Sequence, residues 1–165
     1  MEITIRKGSL SDLEGFIQLT HEVQNGMERK DWFAIDPDEE TRELAEAGNL
    51  EFWLAEVAGR LAGGFSIVHP RLRSFNLGYE LGLPEAELLR VIHMDTAAVH
   101  PDFRGRGLQK RLTQRVEDAL GHGILLCTIH PENRYSLQNA MTVGYQIQKQ
   151  VSRYGSIRYI LRKDI

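Results

Sequence analysis

Apolar and polar residues alternate from Ile3 to Lys7, the pattern of a short strand with one buried face. Ser11 and Glu14 have capping-box spacing and open a predicted helix through Asp12 to Gln24. A second helix start is written by Asp36, Pro37 and Glu39, with Asp36 as the cap and Gly48 as the stop. Residues 50–70 read as two strands joined at Ala58-Gly59, ended by Pro70. Residues 71–89 predict a loop with a short helical turn, feeding a strand from Arg90 to Val99. From Gly107 onward Leu108, Leu112, Val116 and Leu120 recur every four residues, the stripe of a helix lying on a sheet, and Gly121 stops it. The apolar run after Gly123 predicts a central strand covered on both faces. A helix over 133–143 follows, ended by Gly144, and two closing strands meet around Gly155-Ser156. The order is that of an α/β or α+β chain, read as a single domain over 1–165.

Composition narrows this little. A length of 165 residues with 42% hydrophobic and 26% charged content suits one soluble core. No apolar run approaches the ~20 residues of a membrane helix, and the start lacks a secretory pattern, so a cytoplasmic, non-membrane protein is expected. The single Cys127 excludes an internal disulfide, and inside an apolar run it reads as an inert core thiol. The histidines form no metal-ligand pair, so no metal is predicted. A net charge of -3 and a pI of 6.1 argue against a nucleic-acid-binding protein.

One stretch stands against that acidic balance. After Val99-His100-Pro101 come Arg104, Gly105, Arg106, Gly107, Leu108, Gln109, Lys110 and Arg111 at the start of the predicted helix. A helix start offers amides without intrahelical partners and the positive end of the dipole, glycines permit special main-chain conformations, and the basic side chains add charge-assisted contacts. Together they suggest a phosphorylated ligand. The spacing matches neither the triphosphatase phosphate loop nor the dinucleotide fingerprint, whose third glycine is replaced here by Lys110.

The stretch resembles the acyl-CoA site of the GNAT superfamily of N-acetyltransferases, whose motif [RQ]-x-x-G-x-[GA] is matched at Arg104 and Gly107 and departed from at Gln109. The likeness extends to Asn133, Ser136 and Gly144-Tyr145, and in element order to essentially the whole chain. It implies a mixed sheet of about seven strands, splayed at the fourth and fifth and flanked by about four helices. It also implies acetyl-CoA bound by Ala97, Val99, Arg104, Gly105, Arg106, Gly107, Leu108, Gln109, Asn133 and Ser136, with a main-chain N–H near Val99 as oxyanion donor. The reaction implied is direct attack of a primary amine on the thioester through a tetrahedral intermediate. The acceptor stays unidentified, and a homodimer is allowed.

Such a reaction needs a base for the ammonium. Asp95 is the first candidate because it shares a strand face with Ala97 and Val99; His93, Glu80 and His130 form a second group. The tyrosine that commonly protonates the CoA sulfur is replaced by Ala140, and Trp32 and Phe33 either wall the acceptor site or pin a helix linker. Ala140 and Gln109 keep open a CoA-binding module without turnover, and the basic cluster keeps open a polyanion-binding domain.

Overall fold

A computed structural model describes residues 2–165; Met1 lies outside the described residues. The elements are β1 (Ile3–Lys7), α1 (Leu13–Asn25), α2 (Asp38–Glu46), β2 (Leu50–Val57), β3 (Arg60–Val68), α3 (Glu85–Leu88), β4 (Val91–Val99), α4 (Leu108–Leu120), β5 (Ile124–Ile129), α5 (Arg134–Thr142), β6 (Gln146–Arg153) and β7 (Ser156–Asp164). They form a seven-stranded mixed sheet in the order β1-β2-β3-β4-β5-β7-β6, with β4 and β5 parallel. Four helices of nine or more residues flank it, and α3 is a single turn. Among the described residues no helix is long and apolar enough to cross a membrane.

The chain divides into two compact units. The first comprises Met1–Val68 and Asp95–Gly121, the second His69–Met94 and His122–Ile165. In the first, β2 and β3 turn at Ala58-Gly59, both at positive φ (50° and 75°), the mirror-image turn whose twist suits a two-residue hairpin. A bulge near the start of β3 shifts the register, and beyond it Gly63 and Gly64 point to opposite faces. A Cβ on Gly63 would meet Leu112 of α4 at 3.3 Å, and one on Gly64 would meet Phe16 of α1 at 2.7 Å, so the two helices cover opposite faces of β3. Leu108, Leu112 and Val116 are fully buried, as their four-residue spacing predicts. In the second unit β4 and β5 pair from Val91 opposite Ile124 to His93 opposite Leu126, around a core of Leu77, Val91, Ile124, Leu126 and Ile160.

Three predicted boundaries move. The capping box is Ser9 with Asp12, not Ser11 with Glu14. The Ser9 N–H donates to Asp12 Oδ2 at 2.9 Å, and a short 3-10 turn at Leu10–Asp12 precedes α1. Arg6 explains the choice, because its guanidinium holds both Asp12 oxygens, at 2.9 and 3.0 Å, and keeps that carboxyl well below the usual range. Helix α2 starts at Asp38 with the extended Pro37 ahead of it, so Asp36 is not its cap. The last hairpin turns at Tyr154-Gly155 (φ 56° and 72°), and Ser156 already belongs to β7.

Candidate active site

The basic stretch lies wholly in the first unit. His100 anchors it: its N–H donates to Ala62 O at 2.8 Å, and its Nδ1 accepts from the Asp102 N–H at 3.1 Å as the chain enters a 3-10 turn at Pro101–Phe103. The buried Phe103 ring is flanked by the Arg60 and Arg106 guanidiniums at 4.9 and 5.4 Å, and so pegs the loop to the fold. Gly105 and Gly107 then take φ values of 77° and 70°. A Cβ on either would meet nothing within 4 Å, so the left-handed backbone, not crowding, selects glycine. Leu108 buries itself to start α4, and the first intrahelical bond closes from the Arg111 N–H to Gly107 O at 3.1 Å. The amides of Gly107 through Lys110 precede that bond and are the helix's unpaired first turn by construction. No carboxylate lies in that turn, and Gln109 and Lys110 are exposed. A diphosphate fits such a place on charge, amide supply and room.

The same unit holds a small acidic cavity of about 20 Å³. Phe16, Ile17 and Thr20 line it from α1, Ile35 and Asp36 from the segment before α2, Asp38 and Thr41 from α2, Ser66 from β3, and Asp95 and Thr96 from β4. Ser66 Oγ and Thr96 Oγ1 donate to the same Asp95 oxygen, Oδ2, at 3.1 and 3.3 Å. Burial and then the neighbouring Asp36 charge push the Asp95 carboxyl up to about 7, against those two bonds. Asp95, Ala97 and Val99 are half-buried, alternating with the buried Thr96 and Ala98. Asp36 is the residue that the sequence reading put to another use. Pro37 disfavours a helical conformation at the residue before it, and Asp36 lies outside α2.

The other named residues lie in the second unit. His93 is buried, its Nε2 accepts from the Leu77 N–H at 3.1 Å, and burial, then the Arg153 charge, lowers it to about 3. Glu80 pairs with Lys149 at 3.3 Å, and His130 Nδ1 accepts from the Glu132 N–H. Asn133 caps α5, its Oδ1 accepting from the Ser136 N–H at 3.3 Å. Tyr135 is exposed, Tyr145 is buried beneath Lys163, and burial pushes Cys127 up to about 12. In the first unit Phe33 packs against Leu19, Val23 and Ala98, while Arg29 covers Trp32 at 5.0 Å; it is Ile35 and Asp36 from this region that reach the cavity.

The model of the acetyltransferase (GNAT) family matches residues 21–145. The chain belongs to the GNAT family. It is an acyltransferase that uses acetyl-CoA as donor. Solved structures share the GNAT fold over essentially the full length. Among them is YncA, a putative acetyltransferase from Salmonella typhimurium solved with acetyl-CoA, at 18% identity and TM-score 0.71, covering 99% of this chain and 94% of that one. NAA60 from Arabidopsis thaliana, also with acetyl-CoA, is 15% identical with TM-score 0.75 over 99% of each chain. The PaiA N-acetyltransferase from Thermoplasma acidophilum, with coenzyme A, is 15% identical with TM-score 0.70 over 100% of each. No curated protein matches this chain.

Proposed function

We propose that this GNAT protein is an N-acetyltransferase that moves the acetyl group to a primary amine. In this reading Arg104 to Gln109 hold the CoA diphosphate, the main chain at Ala97 and Val99 receives the thioester arm, and Asp95 accepts the proton of the incoming ammonium. The observation that carries it is the pair of left-handed glycines that opens α4 beside Arg104, Arg106 and Lys110. The solved relatives holding acetyl-CoA or CoA support the same donor. We also propose that residues 1–165 form one domain, since the family match runs through both compact units, each assembled from two separated chain segments.

Bound acetyl-CoA supplies an activated thioester carbonyl. An amine of pKa about 10 arrives protonated at neutral pH and has no lone pair to attack with. A carboxylate at its ordinary pKa of about 4 is a poor base for it, whereas Asp95 at about 7 accepts and returns a proton near neutrality. The freed nitrogen then attacks the carbonyl, the C–S electron pair leaves with sulfur, and a second nitrogen proton ends on the thiol. No acyl-enzyme is invoked, in keeping with Cys127 held as a neutral thiol.

The test is CoA release across polyamines, amino acids, aminoglycosides and peptide N-termini. At least one class is expected to turn over, and Asp95→Asn is expected to cut kcat by about 100-fold or more while acetyl-CoA still binds. CoA binding with no release for any amine would instead leave a binding module.

A further inference from the structure

The start of α4 carries more positive charge than a diphosphate calls for. In the first unit the four arginines ahead of it, Arg6, Arg29, Arg42 and Arg60, each engage a carboxylate. Arg104, Lys110, Arg111 and Arg115 do not: among the described residues their side chains make no ion pair, hydrogen bond or ring contact. The nearest carboxylate along the exposed side of α4, Asp118, accepts from Gln114 Nε2 at 2.9 Å instead. Arg111 and Arg115 are both exposed and stand four residues apart, so they share one face of the helix and repel each other. That row runs back to Gly107, beside the buried stripe of Leu108, Leu112 and Val116. Helical side chains lean toward the N-terminus, and the two positions are about 6 Å apart along the axis, so both guanidiniums are offered toward the glycine turn.

A diphosphate diester bears one charge per phosphate, and the first-turn amides with Arg104 and Lys110 answer it. Arg111 and Arg115 remain over. The donor has a matching anion to spare, because the ribose of coenzyme A carries a 3′-phosphate, a monoester with a charge of about −1.5 to −2 at neutral pH. We propose that Arg111 and Arg115 form a phosphomonoester subsite for that 3′-phosphate, so that this chain distinguishes coenzyme A from its 3′-dephospho form. The proposal rests on the reading that the turn at Gly105 and Gly107 holds the diphosphate. The monoester then lies one ribose away from it, on the side where the row of arginines begins. Two guanidinium forks suit a group with three free oxygens, and its charge relieves the repulsion between them.

Isothermal titration of the full chain with coenzyme A and with 3′-dephospho-coenzyme A tests this without any acceptor. The wild type is expected to bind coenzyme A about 10-fold or more tightly than the dephospho form. In the double variant Arg111→Gln, Arg115→Gln the two ligands should bind alike, with the affinity for the dephospho form unchanged. The double variant Arg111→Lys, Arg115→Lys should restore part of the preference, since an ammonium keeps the charge and loses the fork. Both residues are exposed, and circular dichroism should show α4 retained in each variant. Equal affinity for the two ligands in the wild type overturns the proposal on its own. So does a preference that survives in the glutamine variant, or a loss there that is equal for both ligands. If Arg104→Glu weakened neither ligand while the glutamine variant still erased the preference, the diphosphate reading would fall and the monoester subsite would stand.

Discussion

Asp95 is a carboxyl group that the fold makes more basic, and that has a stability consequence separate from catalysis. Its affinity for a proton is higher folded than unfolded, so from about pH 4 to pH 7 the folded chain keeps a proton that the unfolded chain has released. Stability contributed by the protonated group is therefore full below that window and is lost as the pH rises through it. Asp95→Asn has no proton to lose, so its melting temperature should exceed the wild type's by more at pH 8 than at pH 5, alongside the expected fall in kcat of about 100-fold or more. Equal shifts at the two pH values would contradict the raised proton affinity. Asp12 behaves in the opposite sense: Arg6 holds its carboxyl low, so its contribution is present at neutral pH and lost on acidification. Neither property was legible in the sequence. Asp36 and Asp95 are far apart along the chain and come to line one cavity only in the folded protein.

At the scale of elements, what could be read was what is local. The strands announced themselves by alternation or by unbroken apolar runs, and α4 by its four-residue stripe, because periodicity is set by backbone geometry before any tertiary contact forms. Caps and turns were displaced because several residues of the right type compete within a few positions, and a distant partner decides, as Arg6 does for Asp12. The basic glycine turn was legible for the same local reason, since its conformations are written as Gly105 and Gly107. Two substitutions test elements directly. Ala58→Asn places a better left-handed residue at φ 50° on an exposed turn and should stabilise the β2–β3 hairpin by about 0.5–1 kcal/mol, measured as a higher urea midpoint at unchanged slope. Gly107→Val forces a branched residue to φ 70° and should cost about 1–3 kcal/mol and abolish acetyl-CoA binding, with α4 retained by circular dichroism.

For the molecule as a whole, a net charge of -3 leaves the cluster from Arg104 to Arg111 as a local feature of an acidic protein, which suits a small anionic ligand better than a long polyanion. If residues 1–165 are one domain, the fluorescence of Trp32 and Trp53 and the far-ultraviolet circular dichroism should follow one urea transition; two separated transitions would divide the chain into independent domains. The family match fixes the donor, and the turn at the start of α4 is where this chain is held to grasp it. Isothermal titration of acetyl-CoA into the wild type and Arg104→Glu measures that grasp. One site per chain in the wild type, weakened about 10-fold or more by the reversed charge, is the expected result. No heat of binding in the wild type, or equal affinity in both proteins, would contradict it.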